Sequence, residues 1–98
     1  MSGRLLARPG PLAGFDVALG DAARIGSGAD VDVRVDLSGI LPLHATIARD
    51  GERMQLVDQS AGAGGGVSLN GRRVTREWLQ HLDVITIGRD ADFIYLAT

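Results

Sequence analysis

Residues 37–45 read Leu-Ser-Gly-Ile-Leu-Pro-Leu-His-Ala, and this stretch decides the fold. Pro42 has no amide hydrogen and a fixed φ, and Gly39 admits dihedrals closed to other residues, so the segment is a loop. Extended chain over residues 44–49 follows at once, so the loop feeds a strand. Loops lie on surfaces and carry binding residues; Ile40, Leu41 and Leu43 inside one therefore either anchor it to the core or face a partner.

Downstream, Asp50-Gly51 is a hairpin turn whose central residues take positive φ, and the return strand covers residues 53–58. Residues 59–66 hold four glycines in eight positions, which is too flexible for regular structure and predicts a mobile loop. Residues 67–69 are extended, and Asn70-Gly71 is a second hairpin turn. Residues 75–82 have helical character: Thr75 can cap one or two turns, with Trp78 and Leu82 four apart on one side. Trp78 and Leu79 are expected to close the bottom of the core. Strands over 84–88 and 93–96 finish the chain, joined by Arg89-Asp90-Ala91-Asp92.

Upstream, Val31, Val33 and Val35 line one face and Asp32 and Arg34 the other, the cleanest strand pattern in the sequence. Before it come the loop Ser27-Gly28-Ala29-Asp30 and a short strand over 23–26 with Ile25 pointing inward. Phe15, Val17 and Leu19 alternate with Asp16 and Ala18, and Pro9-Gly10-Pro11 ends a first strand over 3–8. About ten short strands between turn signals predict an all-β fold, a two-sheet antiparallel β-sandwich with at most one short helix, as a single domain over residues 1–98.

All ten basic residues are arginines, set against twelve acidic ones for a net charge of -2. That balance argues against a nucleic-acid partner, which demands a strong positive field. With no cysteine there is neither disulfide nor thiolate metal site. No stretch approaches eighteen apolar residues and the N-terminus lacks the apolar core of a signal peptide, so the expectation is a cytoplasmic protein without membrane contact.

The chemistry-bearing patterns are weak. Residues 62–66 lack the lysine and following helix of a P-loop, and neither Gly26-Ser-Gly28 nor Gly62-Ala-Gly64 continues into a dinucleotide fingerprint. Ser60, His44 and Asp58 hold the atoms of a catalytic triad without a nucleophile turn, so no catalytic residue is assigned. Asp30, Asp32 and Asp36 lack a closing glutamate and a glycine-turned loop, so no metal or cofactor is expected. Arg72, Arg73 and Arg76 cluster just after a hairpin and form the best positive patch, with Arg72, Arg73 and Arg24 as candidate anion contacts.

With the strands placed, Ile25-Gly26, His44-Ala45, Asp58, Asn70-Gly71, and Leu79 with Asp83, Ile85, Ile87 and Gly88 follow one another in an order that resembles the forkhead-associated (FHA) domain. The likeness runs from about Leu5 to Leu96. It implies a sandwich of about eleven strands whose loops at one end read phosphothreonine peptides, with His44, Asn70 and Gly71 supporting those loops. The family motif has arginine after glycine, then Ser-Arg-x-His, then Ser-x-Asn-Gly. This chain has Ser27 after Gly26, then Leu41-Pro42-Leu43-His44, then the longer Ser60-Ala-Gly-Ala-Gly-Gly-Gly66 without asparagine.

Those changes remove two cations, a hydroxyl and an amide donor, each charge-assisted bond carrying roughly 1.5 to 3 kcal/mol. The expected function is therefore a non-enzymatic interaction module that binds another protein or peptide without requiring phosphate. Its predicted contact loops hold Ser27 and Gly28, then Ser38, Ile40, Leu41 and Leu43, then Ser60, Gly62 and Gly64. Two alternatives stand beside it: a phosphothreonine-peptide domain with a rearranged site, and an assembly module that forms a homo-oligomer.

Overall fold

Alternation of buried and exposed side chains sets the architecture. The computed structural model describes residues 3–7 and 16–97. Among them lie eleven strands: β1 (Gly3–Ala7), β2 (Asp16–Ala18), β3 (Ala22–Gly26), β4 (Val33–Arg34), β5 (Ala45–Asp50), β6 (Arg53–Asp58), β7 (Val67–Leu69), β8 (Arg72–Arg73), β9 (Arg76–Trp78), β10 (Val84–Ile87) and β11 (Ala91–Ala97). They form two sheets, ordered β2-β1-β11-β10-β7-β8 and β4-β3-β5-β6-β9. Ile25, Ile47 and Leu56 from one sheet meet Leu5, Ile85, Ile87 and Phe93 from the other, all fully buried. The all-β sandwich expected from the pattern is the fold observed.

Some local expectations are corrected. Residues 76–78 are a strand and not a helix, because Gln55, Leu56 and Val57 of β6 supply backbone partners to Trp78, Glu77 and Arg76. A one-turn helix cannot match that, since its nucleus gains a single hydrogen bond for several fixed dihedrals. Leu79 is buried as expected, while Trp78 is only half-buried, with the Arg53 guanidinium stacked 4.0 Å from its ring centroid.

Alternation over 31–35 places Val33 and Val35 inside, yet only two residues pair as a strand, and parallel to β3 (Ile25 opposite Val33). At the β5–β6 hairpin Asp50 pairs with Arg53, so the central residues are Gly51 and Glu52, with positive φ at Gly51 alone. A single positive φ at the first central position is the pattern of a type II′ turn. Asn70 and Gly71 both take positive φ (52° and 85°), as their hairpin requires. The Pro9-Gly10-Pro11 turn, Arg8 and Phe15 lie outside the described residues.

Leu82 holds φ at 73° although it carries a β-carbon, and its side chain is 61% exposed. Left-handed backbone costs a leucine about 1 to 2 kcal/mol, against about 0.5 to 1 kcal/mol of extra entropy lost by glycine. Leu82→Gly is accordingly expected to raise the melting temperature by about 4 °C, near the low end of the shift per kcal/mol for a chain of this size. An unchanged or lower melting temperature in calorimetry refutes this account of the turn.

Candidate functional site

The C-terminal ends of β3, β6 and β10 and the N-terminal ends of β5 and β7 bring four connections together at one end of the sandwich: residues 27–32, 35–44, 59–66 and 88–90. His44 fastens two of them, 35–44 and 59–66, to each other and to β3. It is fully buried; its Nδ1 accepts the Leu41 amide hydrogen at 3.2 Å and its Nε2 donates to the Gly66 carbonyl at 2.8 Å. Acceptance at Nδ1 assigns the neutral ring with its hydrogen on Nε2. The backbone of His44 adds a bond to the Ile25 carbonyl at 2.8 Å and receives the Gln59 amide at 2.9 Å.

The apolar loop divides its side chains. Ile40 is buried over Gly88, where an added β-carbon would stand 2.7 Å from Ile40 Cδ1. Leu41 is half-buried, Ser38 is exposed at the tip, and Leu43 turns outward with 40% of its surface exposed. One residue therefore anchors the loop while another is offered to solvent. Ser27 is fully engaged beneath: its hydroxyl donates to the Ile40 carbonyl at 2.9 Å and its amide to the Leu41 carbonyl at 2.9 Å, while the Gly28 amide donates to the Pro42 carbonyl at 3.2 Å. Beside Leu43, an open groove of about 340 Å³ is lined by Arg24, residues 28–31 and Pro42.

The glycine-rich loop is packed and not loose. Asp58 Oδ1 accepts the Ser60 amide at 2.7 Å and the Ser60 hydroxyl at 2.5 Å, and Ser60 Oγ accepts the Gly62 amide at 3.2 Å. Ser60 and Gly66 are buried, and residues 63–65 close a short 3₁₀ turn. Gly64, with φ at 62°, lies so close to Gly39 that a β-carbon would fall 2.1 Å from the Gly39 carbonyl oxygen. Ser60, Asp58 and His44 are thus each bonded within the loops, and no triad is assembled.

Arg72 and Arg73 separate, as neighbours on a strand must. Arg73 Nη2 donates to the Gly62 carbonyl at 2.9 Å, placing it at this end of the sandwich. Arg72 lies 4.0 Å from Glu77, toward the other end, and Arg24 faces Asp32 at 3.7 Å. Asn70 also belongs to the far end, which corrects its expected role. Its Nδ2 donates to Asp83 Oδ1 at 3.0 Å and its Oδ1 accepts the Val84 amide at 2.9 Å, so Asn70 and Gly71 brace the turn at residues 80–84 and do not touch the His44 loops. At that far end burial pushes the Tyr95 phenol above its usual range, partly opposed by the charge of Arg49.

Arg89 was not singled out by the sequence reading, yet it stands at the site, its aliphatic stem over Gly65. Only the β10–β11 register reveals this, since nothing in Arg89-Asp90-Ala91-Asp92 distinguishes it from any exposed turn. Among the described residues no three histidine or carboxylate side chains converge as metal ligands, and no helix is long and apolar enough to cross a membrane.

This arrangement has counterparts. A domain solved in work on phosphothreonine-dependent FHA interactions is 26% identical, with a TM-score of 0.87 over 100% of this chain and 98% of that one. The FhaA FHA domain, solved with the intracellular domain of Rv3910, is 27% identical, with a TM-score of 0.83 over 96% and 99%. Mycobacterium tuberculosis EmbR, in complex with a low-affinity phosphopeptide, shares the fold at 24% identity and a TM-score of 0.86; the match covers 99% of this chain and 24% of EmbR. No curated protein sequence matches the chain. The family profile of the FHA domain matches residues 23–88. That span reaches from β3 to Gly88 and takes in the His44 fastener and the two loops it joins, so the chain belongs to the FHA-domain family.

Proposed function

We propose that this domain recognises a partner protein through the loops around His44 without requiring phosphothreonine. FHA domains are protein-interaction modules, and the similar structures from work on phosphothreonine-dependent interactions and from a phosphopeptide complex mark phosphate reading as the alternative. The observation that carries the proposal is the fate of Ser27 and of residues 41–43. Ser27 spends its hydroxyl on the Ile40 carbonyl, and the loop offers Leu43 and backbone in place of an arginine and a serine.

A phosphate dianion set there would meet apolar surface and lack several donors, each carrying about 1.5 to 3 kcal/mol when charge-assisted. An extended segment with one apolar side chain suits the groove beside Leu43 better, since its burial needs no compensating charge.

Calorimetric titration with matched phosphothreonine and unphosphorylated peptide libraries, at two salt concentrations, tests this. The paired affinities are expected to agree within about threefold, less than 1 kcal/mol. Micromolar binding that depends on the phosphate overturns the proposal in favour of a rearranged phosphopeptide site.

A further inference from the structure

Arg4, Arg24, Arg34, Arg49 and Arg72 each face a carboxylate, and Arg53 lies over Trp78. Among the described residues Arg73, Arg76 and Arg89 make no ion pair. Two of these three lie against the same loop. The Arg73 guanidinium lies against Gly66, where a β-carbon would come within 2.4 Å of its Nε, and the Arg89 stem lies against Gly65, where a β-carbon would stand 2.9 Å from Cγ. Their footholds are consecutive residues, whose Cα atoms stand about 3.8 Å apart.

Both side chains carry a positive charge at the same loop, and among the described residues no carboxylate pairs with either; Arg73 donates to the Gly62 carbonyl. Asp58, at the base of the same loop, is occupied by the Ser60 amide and hydroxyl. Asp90 follows Arg89 in sequence without forming an ion pair with it. The glycines also leave no side chain between the two arginines, so the floor beneath them is bare backbone. A guanidinium already held in place, as that of Arg73 is by the Gly62 carbonyl, receives an oxyanion with little further ordering.

We infer that Arg73 and Arg89 together receive a carboxylate of the partner, an aspartate or glutamate displaced along the segment from the residue that fills the groove beside Leu43. The inference rests on the interaction reading above and adds the charge of the partner. A monoanion fits better than a phosphate dianion. The Ser60 hydroxyl is given to Asp58 and does not serve the pair, and the Asp58 charge at the base of the loop opposes a dianion more strongly. Complementary charge at this rim would steer the encounter as well as fix the register of the segment.

The test is selection of a random twelve-residue phage-display library, which carries no phosphate, on the wild-type domain and on the Arg73→Gln/Arg89→Gln double variant. Thermal melting first establishes that the variant folds; both side chains are exposed, and a melting temperature close to wild type is expected. Wild type should enrich acidic residues about tenfold at one fixed distance from an apolar position, worth about 1.4 kcal/mol, and the variant should keep the apolar preference and lose the acidic one. Apolar enrichment without an acidic preference, or an acidic preference that survives in the variant, overturns this inference and leaves the interaction reading standing. If the display library yields no binder while the same library treated with a threonine kinase does, the phosphate-independent reading falls and this inference falls with it.

Discussion

Replacing His44 with alanine is expected to lower the melting temperature by about 15 °C or more, as the loss of roughly 3 to 5 kcal/mol does in a chain of this size. The substitution empties a fully buried site and strands two backbone groups at once, the Leu41 amide and the Gly66 carbonyl. Each buried group left without a partner costs about 1 to 3 kcal/mol, before the lost packing of the ring is counted. Two shorter replacements divide the effect.

His44→Asn can place an oxygen where Nδ1 stands and keep the Leu41 bond, and His44→Gln can place an amide hydrogen where Nε2 stands and keep the Gly66 bond. Each should recover part of the loss, and hydrogen exchange should show the Leu41 amide protected in the asparagine variant and open in the alanine one. A fall of less than about 5 °C for His44→Ala, close to 1 kcal/mol, would mean that the loops are held together by other contacts.

Gly26→Ala should be nearly as damaging, although it adds only a methyl group. The new β-carbon would lie 2.1 Å from the Pro42 carbonyl oxygen, 2.7 Å from its carbon and 2.8 Å from the Leu41 oxygen. All three obstacles are backbone, so no rotamer change relieves them. β3 and residues 41–43 must move apart, which breaks the Ser27-to-Leu41 and Gly28-to-Pro42 bonds at 2.9 and 3.2 Å and strains the His44-to-Ile25 bond at 2.8 Å.

With overpacking at about 1 to 3 kcal/mol and each lost bond near 1 kcal/mol, the expected loss is about 3 to 5 kcal/mol in a denaturant titration. Gly20→Ala is the control, since no atom lies within 4 Å of its added carbon. It should change stability by less than about 1 kcal/mol. Equal midpoints for the two variants would refute the close approach at Gly26.

The two sites share a cause that bears on function. His44 and Gly26 contribute nothing outward; they hold in place the loops that expose Leu43 and against which Arg73 and Arg89 lie. In the alanine variants, peptide binding should weaken through disorder of the loops and not through lost contacts.

How much of this was legible in the chain varies with the range of the forces involved. Strand positions followed from side-chain alternation, because a residue's face is set by its immediate neighbours: Ile25, Val33, Val35, Ile47, Leu56, Ile85 and Ile87 are all inside. Asn70-Gly71 was readable as a turn for the same reason, its two positive φ values being a local property. The helix expected at 75–82 failed because the competing bonds come from β6, some twenty residues earlier, and no local pattern announces them.

By itself, then, the sequence determined a two-sheet sandwich, a loop entering a strand at His44, and the absence of the usual arginines at Ser27 and Pro42. Only the tertiary structure decided which way residues 37–45 face. Ile40 goes inward because Gly88, nearly fifty residues away, leaves room above it, and Leu43 goes outward because the Pro42 and Leu41 carbonyls are already tied to β3 and the chain that follows it. It also decided that Arg73 and Arg89 both reach the glycine-rich loop while Arg72 and Asn70 do not. A strand places alternate side chains on opposite faces and its two ends at opposite poles, and which pole holds the site is a matter of register between segments far apart in the chain.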